Sequence, residues 1–414
     1  MGFLGMGKKK NYALALDIGT EFVKALIFRI DDDQASVIGC GRQRQKLSDM
    51  QGGRVTDISG VIANCEKALD QAAEESGVAP TQCVVGIAGE LVKGTTTTVH
   101  YQRPAPKSKV TVGELKTIIT EVQKKAFEKT RANLAWETGY SEIDVRLVNS
   151  AVVDVKIDGY KVTNPVGFQG RDISVGIFNA FAPIVHLGAL QTITEGLGLD
   201  LLGVVAEPYA VARSMGMEES VEFSAIFIDI GGGTTDIAVV RNGGVEGTKM
   251  FAIGGRVFTK RLTNEFNLSF QEAEKLKMAY SAGELEKTKT EKVKKALEGD
   301  CATWVSGVQL ALEEFAGVDL LPSKILLCGG GSMLPDIKKI LETSEWVDDL
   351  PFAKKPKVNF IRPRDVASVL DETESLDDPQ DITPMALANM AIDLAGTPSV
   401  ISGTIDRVVD SLKE

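Results

Sequence analysis

The sequence is poor in the residues that bind zinc, and it lacks a run that could span a membrane. It has only two histidines, His100 and His186, and its five cysteines form no CxxC pair, so the usual spacings of a zinc site are missing. No apolar run approaches the roughly 20 residues that a bilayer-spanning helix needs. The N-terminal lysines follow the apolar residues, which is the reverse of a secretory signal. We therefore expect a cytoplasmic chain with reduced cysteines.

Positive charge is also in short supply. The chain has 46 Lys and Arg residues against 57 Asp and Glu residues, a net charge of −11. Because such a chain repels phosphate backbones, we expect no nucleic-acid partner. The 414 residues, 43% hydrophobic and 25% charged, are typical of a soluble globular protein and exceed one ordinary domain of roughly 100–200 residues. At least two domains are therefore expected.

Two segments of the chain repeat one pattern. Residues 14–27 read LALDIGTEFVKALI and residues 226–239 read IFIDIGGGTTDIAV, with Asp17 and Asp229 at the same place in each. An apolar strand leads into Asp-Ile-Gly, a short polar turn follows and a second strand leaves, which predicts a β-hairpin in both copies. Helical patterns follow at 58–76 and at 256–280. This order indicates a duplicated α/β fold with two lobes.

The first lobe is interrupted by a segment with elements of its own. We predict strands near 84–88, 95–101 and 143–157, and a helix near 112–130 that begins with Thr111 and Glu114 in capping-box spacing. Farther on, a charged helix at 284–298 is expected to be solvated, the acidic stretch 371–381 to be an exposed loop, and 384–395 to be helical. The predicted division is 1–83 for the first part of lobe one, 84–177 for the inserted domain, 178–215 for the rest of lobe one, 216–383 for lobe two with its outer subdomain at about 256–320, and 384–414 for a helical part that returns to lobe one.

The two hairpin tips are candidates for binding a phosphate chain. Glycine lets backbone approach a ligand closely, and successive N–H groups in a tight turn form a nest for anions. Asp17 and Asp229 stand at the strand ends, where they could hold Mg²⁺ through its water shell, and Lys24 could neutralise phosphate charge. The sequence contains no GxxxxGK[ST] pattern, which excludes a P-loop.

Two further motifs suit the same chemistry. The stretch CGGGSMLP at 328–335 follows an apolar strand and precedes a predicted helix, so its glycines would let a base or a ribose pack against backbone. Glu207 in VVAEPYA follows another strand and could orient an attacking water.

The order DIGT, EPYA, DIGGGTTD and GGGSMLP resembles the actin-like ATPase superfamily, and within it the FtsA family of cell-division proteins. The stretches GGRVTDISGVIANCEKALDQAAEESGV, IDGYKVTNPVGFQG and AEKLKMAYS carry the resemblance further, over essentially residues 12–395. It implies an actin-like, two-lobed ATPase fold with an FtsA-type inserted domain. In that family the segment matching 84–177 is a relocated domain that serves polymer and partner contacts.

The resemblance also implies roles for single residues in binding Mg²⁺ and ATP. Glu207 would orient the hydrolytic water, and Asp229 would be both catalytic and a metal residue, together with Asp17. The first phosphate loop would comprise Asp17, Gly19, Thr20 and Lys24, and the second Asp229, Gly231, Gly232, Gly233 and Thr234. The nucleoside side would comprise Gly254, Gly255, Lys275, Gly329, Gly330, Gly331 and Ser332.

The function implied is that of a slow ATPase and scaffold. Such a protein polymerises with itself and links the FtsZ ring to the cytoplasmic face of the membrane and to later division proteins. FtsA proteins typically end in a basic, aromatic amphipathic helix that docks on the membrane. Residues 400–414 here have no aromatic residue and a net charge near −1, so they would bind anionic lipid poorly. We expect them to dock on the protein itself.

Two other functions remain open from the sequence. A protein of the PilM type, used in type IV pilus assembly, has the same fold, a related insert and a lysine-rich start, and it would bind a peptide of an inner-membrane pilus protein. A small-molecule kinase of the same fold would need a catalytic aspartate in a substrate cleft. Capture of pilus components, or ATP-dependent phosphorylation of a sugar, would distinguish these two functions from a role in division.

Overall fold

The computed structural model describes residues 11–395 apart from 90–91, 139–144, 163, 216–222, 316–317 and 344. The strands are β1 (Asn11–Ile18), β2 (Phe22–Asp31), β3 (Gln34–Arg44), β4 (Met50–Gln51), β5 (Arg54–Val55), β6 (Gln82–Ile87), β7 (Lys93–Gln102), β8 (Val145–Ile157), β9 (Tyr160–Lys161), β10 (Asp172–Pro183), β11 (Asp200–Ala206), β12 (Ala225–Ile230), β13 (Thr235–Arg241), β14 (Gly244–Phe251), β15 (Lys324–Cys328), β16 (Lys357–Phe360) and β17 (Val369–Asp371). The helices are α1 (Ile58–Ser76), α2 (Val112–Thr138), α3 (Ile184–Gly196), α4 (Glu207–Arg213), α5 (Gly255–Phe266), α6 (Phe270–Ser281), α7 (Lys287–Glu313), α8 (Pro335–Leu341) and α9 (Ile382–Ala395).

The first lobe is built on a six-stranded sheet in the order β11-β6-β1-β2-β3-β17. The predicted hairpin is present, with β1 and β2 antiparallel and Asp17 opposite Lys24. The helix predicted at 58–76 is confirmed as α1: the Asp57 side chain caps its first turn, and Gly77 ends it in the left-handed conformation at φ 66°. Helix α9 confirms the predicted C-terminal helix and packs on β1 and β2. The sheet and these helices pack around one apolar core, to which strands β12, β13 and β15 also contribute residues.

The second lobe repeats this plan with β12 and β13 as its hairpin and Asp229 opposite Asp236. The helical pattern expected at 256–280 is confirmed, and it consists of two helices. Asn267 ends α5 in the left-handed conformation, and Ser269 starts α6 with a complete capping box to Glu272. The charged helix expected at 284–298 is longer, as α7, and it buries an apolar face that includes Val293, Leu297 and Trp304.

The insert joins the sheet of the second lobe at its edge. Strands β7, β10, β8 and β9 continue the order β16-β15-β12-β13-β14, and the join consists of Gly247 opposite Thr95 and Thr248 opposite Gly94. Helix α2 covers this part of the sheet and forms a separate apolar core with it. The Thr111 hydroxyl accepts a hydrogen bond from the Glu114 amide.

Two expectations about the insert need correction. The Glu114 carboxylate does not complete a capping box, since it pairs with the buried guanidinium of Arg103 at 2.8 and 2.9 Å. The strand expected near 84–88 is β6, which pairs with β1 and β11 in the first lobe. Residue 84 therefore cannot begin the insert. Apolar β10 residues such as Phe178 and Ala180 also lie in the core of the first lobe, so this strand serves both units.

Among the described residues, none of the helices combines the length and the apolar character needed to cross a bilayer.

Candidate functional site

A cleft of about 1050 Å³ lies at the tips of the two hairpins. Each tip is a four-residue turn between paired strands, closed by the same hydrogen bond. The Gly19 amide donates to the Phe22 carbonyl at 3.0 Å, and the Gly231 amide donates to the Thr234 carbonyl at 2.9 Å. The duplication read in the sequence is therefore present down to single backbone contacts.

The tips touch each other, and the glycines make this contact possible. A Cβ on Gly232 would lie 2.7 Å from Cβ of Glu21, and one on Gly233 would lie 2.9 Å from the Thr20 side chain. Both distances are shorter than carbon and oxygen atoms tolerate, so any larger residue would push the tips apart. The absence of a side chain at these two glycines therefore allows the tips to pack in direct contact.

Arg256, at the start of α5 in the second lobe, ties the tips more firmly. Its guanidinium donates to Oε2 of Glu21 at 2.7 Å and to the Thr20 carbonyl at 2.6 Å. Glu21 also pairs with Arg44 at 2.6 Å. The sequence analysis missed all three: Arg44 and Arg256 lie outside the two repeats, and Glu21 lies in the first repeat where the second has Gly233.

Lys24 and Asp17 form an ion pair on the floor of the cleft, with Nζ 3.0 Å from Oδ2. Nζ also donates to the Gln380 carbonyl at 2.6 Å. Burial by itself would lower the pKa of Lys24, but the neighbouring carboxylates of Asp17, Asp229 and Asp381 together outweigh it, and the pKa is raised. Lys24 is therefore charged near neutral pH, in a position to face anionic oxygens.

The second lobe has an acid where the first has this lysine. Asp236 stands opposite Asp229 just as Lys24 stands opposite Asp17, and it lines the cleft. Burial, and then the charge of Asp229, raise the pKa of Asp236 to about 8. The sequence analysis did not select Asp236, although the alignment of the two repeats placed it at the position of Lys24.

The carboxyl groups around Lys24 outnumber the positive charge of this one lysine. Burial, followed by the charges of Asp17, Asp236 and Asp229, raises the pKa of Glu207 well above its ordinary value. Burial also raises the pKa of Asp229, against a hydrogen bond from Thr383 that lowers it. A cation that entered the cleft would relieve this repulsion.

The arrangement of these acids suits a cation held through water. Across the part of the chain that the structure describes, no three His, Cys, Asp or Glu side chains converge to hold a metal directly. Mg²⁺ keeps several of its waters in proteins and needs only one or two carboxylates besides phosphate oxygens. Asp17 and Asp229, the two predicted metal residues, both line the cleft, so the residues present fit this ion.

The glycines at 329–331 differ in the space that surrounds each Cβ position. A Cβ on Gly329 would collide with Oδ1 of Asp229, and one on Gly331 with the Ile230 side chain. Gly330 faces open space, with nothing nearer to its Cβ position than Gln380 at 3.6 Å. Only at Gly330 does the protein itself leave room for a larger side chain.

Most predicted site residues come together in this cleft. Three do not line it: Gly233 packs on Thr20, Gly254 packs on the Gly231 carbonyl and the Thr234 amide, and the buried Ser332 donates to the Gly329 carbonyl at 2.6 Å. The residues that do line it are Asp17, Gly19, Thr20, Lys24, Glu207, Asp229, Gly231, Gly232, Thr234, Gly255, Lys275, Gly329, Gly330 and Gly331.

Residues 378–383, which we call the base segment, were not expected at the site. The stretch 371–381 was expected to be an exposed loop, but Pro379 and Asp381 are buried and the Gln380 carbonyl binds Lys24. The Gly329 amide donates to the Pro379 carbonyl at 2.9 Å, and the Thr383 hydroxyl donates to Asp229 at 2.6 Å. The expectation holds for most of 371–378, which is exposed, and is wrong for 379–381, where contacts with the protein replace contacts with water.

Comparison with known proteins supports a relationship along the whole chain. A family model described as Cell division protein FtsA matches residues 226–386. The Cell division protein FtsA of Neisseria meningitidis serogroup B is 26% identical over 97% of this chain and 95% of its own length. These matches show that the chain is similar to FtsA proteins. The protein of the same name from Pseudomonas aeruginosa is 24% identical over 80% of each chain.

Solved structures confirm the predicted fold class. A chain of the PilM-PilN type IV pilus biogenesis complex superposes with a TM-score of 0.65 at 17% identity, covering 92% of this chain and 98% of its own. The ethanolamine utilization protein EutJ from Carboxydothermus hydrogenoformans superposes with a TM-score of 0.50 at 16% identity, covering 92% and 91%. At such identities the likeness concerns the fold alone, which is that of the actin-like ATPases.

The raised pKa of Asp236 predicts how the stability of the empty protein depends on pH. Well below pH 4 the carboxyl is protonated in both the folded and the unfolded chain. As the pH rises towards 8, only the unfolded chain releases the proton, and the folded state loses stability. We expect Asp236→Asn to raise the free energy of unfolding at pH 8 by a few kcal/mol, on the order of 1.4 per pKa unit, and to change it little at pH 4.

Thermal and urea unfolding across this pH range provide the measurement. The exposed Asp348 offers a matched control, since Asp348→Asn removes the same charge outside the cleft. A gain from Asp236→Asn that is equal at pH 4 and pH 8 would contradict a buried, protonated Asp236.

Proposed function

We propose that this cleft binds Mg-ATP. The observation that supports this most directly is the pair of facing tips, each with glycine backbone beside an acid, set around a charged lysine. Backbone amides and Lys24 suit phosphate oxygens. Asp17 and Asp229 suit the waters of Mg²⁺, and a bound Mg²⁺ would neutralise phosphate charge.

The nucleoside would lie towards the second lobe. There the cleft is lined by Gly255, Lys275 and Gly330, and Lys277 donates to the Gly255 carbonyl at 3.1 Å. A nucleotide in this place would touch both lobes, and its binding would favour the closed arrangement by its higher affinity for it. Such coupling would let ATP control assembly.

Substitutions at Gly330 and Asp229 test the binding site. Gly330→Val adds a side chain that the protein has room for and a nucleoside would not, while Asp229→Ala removes a carboxylate next to the cation. Each should weaken Mg-ATP binding at least tenfold in calorimetry, about 1.4 kcal/mol. Gly299→Val on the exposed face of α7, where a Cβ meets nothing within 4 Å, is the control. Wild-type affinity in Gly330→Val would refute the placement of the nucleoside.

We infer that Glu207 orients the water that attacks the terminal phosphate, and that hydrolysis is slow. Glu207 begins α4, is half-buried and lies among the acids of the cleft. Glu207→Gln keeps the shape but cannot accept a proton, so phosphate release should fall at least tenfold while ATP affinity stays within threefold. Single-turnover phosphate release measures the first effect and calorimetry the second. Unchanged turnover would leave Glu207 a purely structural residue.

The biological role that we propose is in cell division. Its support is the likeness to Cell division protein FtsA along nearly the whole of both chains. The protein would polymerise with ATP and link an FtsZ-like ring to the cytoplasmic face of the membrane at the division site. Residues 400–414, expected to dock on the protein itself, lie outside the described residues, so the means of membrane contact stays a prediction.

The insert offers a surface for polymer contacts. Tyr160 is 79% exposed at the β8–β9 turn, at the outer edge of the extended sheet. Removal of 84–177 would take most of β6 out of the first sheet, so a surface substitution is the cleaner experiment. Tyr160→Asp should abolish filaments seen by electron microscopy with Mg-ATP while leaving ATP affinity within twofold.

The control is Leu310→Asp on α7, which charges a second exposed apolar residue, 62% exposed. Normal filaments from Tyr160→Asp would show that the β8–β9 turn is not part of the polymer interface.

Capture of the tagged protein from its own cells distinguishes the division role from the pilus role. Recovery of an FtsZ-like protein would support the division role, and recovery of pilus components would overturn it in favour of a PilM-like function.

A further inference from the structure

The base segment is distant in sequence from both hairpins, yet it contacts three parts of the site. It contacts Lys24 through the Gln380 carbonyl, Gly329 through the Pro379 carbonyl and Asp229 through the Thr383 hydroxyl. One short stretch therefore contacts a phosphate residue, a nucleoside residue and a metal residue of the proposed site.

Asp229 has little freedom in this structure. Its Oδ2 accepts the hydrogen bond from Thr383 at 2.6 Å, and its Oδ1 lies where a Cβ on Gly329 would be. Asp236 stands opposite it on the next strand. Repulsion from neighbouring carboxylates favours other orientations of Asp229. The hydrogen bond from Thr383 opposes this effect and holds the carboxylate in one orientation.

We propose that Thr383 is a positioning residue, which holds the carboxylate of Asp229 in the orientation that a divalent cation at the phosphate site requires. This rests on the proposed function. Thr383 is buried, 5% exposed, in the first turn of α9, and that helix packs on β1 and β2 of the first lobe. The bond therefore ties the metal carboxylate of one lobe to the framework of the other.

The role of Thr383 is tested by the increase in nucleotide affinity that Mg²⁺ causes, which we call the Mg²⁺ gain. Calorimetry with ADP is run with Mg²⁺ and again with EDTA, and the ratio of the two dissociation constants is compared between variants. Thr383→Val keeps the shape of the side chain and removes the hydroxyl. It should reduce the Mg²⁺ gain about tenfold, with affinity in EDTA within threefold of the unaltered protein. Thr383→Ser keeps a hydroxyl and should restore most of the gain.

The control is Thr303→Val on α7, an exposed helical threonine whose hydroxyl bonds only the Gly299 carbonyl. A second comparison uses Asp229→Asn. If Thr383 acts through Asp229, adding Thr383→Val to Asp229→Asn should change the Mg²⁺ gain by less than twofold. Thermal unfolding of each protein without nucleotide reports whether it is folded, and Thr383→Ala replaces Thr383→Val if the valine variant is not.

The possible results separate the two proposals. An unchanged Mg²⁺ gain in folded Thr383→Val, or an equal loss in the presence and absence of Asp229→Asn, would overturn the role of Thr383 and leave the nucleotide site standing. Absence of nucleotide binding by the unaltered protein would overturn the proposed function, and this inference with it. Loss of the gain in Thr383→Val with its recovery in Thr383→Ser would support the proposal.

Discussion

The repulsion among buried carboxylates in the cleft is the constraint on which the rest of the site depends. Glu207, Asp229 and Asp236 all have raised pKa values, and burial is the largest cause for each. Lys24 lies among these acids and is paired directly with a fourth one, Asp17. Burying charge without compensation costs several kcal/mol, so a cation that entered this arrangement would be stabilised by the surrounding acids.

The duplication explains how this imbalance arises. The two hairpin turns are closed by the same hydrogen bond, but the residue opposite the shared aspartate is Lys24 in one copy and Asp236 in the other. A lysine at both positions would neutralise the acids of the cleft and remove the excess negative charge that favours a bound cation. The change of one residue between the copies makes one side suited to phosphate oxygens and the other to the hydrated metal that accompanies them.

Sequence reasoning found the parts of the site that obey local rules. The hairpins, α1 and the glycine turn at 329–331 follow from strand periodicity, capping and the need for close backbone approach. Arg256 and Thr383 follow from no local rule, because their partners lie more than a hundred residues away. The strand β6 was assigned to the insert for the same reason. Its apolar residues suit either sheet, and only its long-range pairing with β1 places it in the first sheet.

The two long-range ties stand on different parts of the cleft and have different consequences for the movement of the lobes. Arg256 joins the tips, where it binds Glu21 and the Thr20 carbonyl, so it opposes their separation even without a ligand. Thr383 joins Asp229 to α9, and α9 packs on the first hairpin, so it ties the two lobes together beneath the proposed metal carboxylate. A nucleotide bound across the tips would contact both lobes as Arg256 does, and its binding energy would add to these contacts in favour of the closed arrangement.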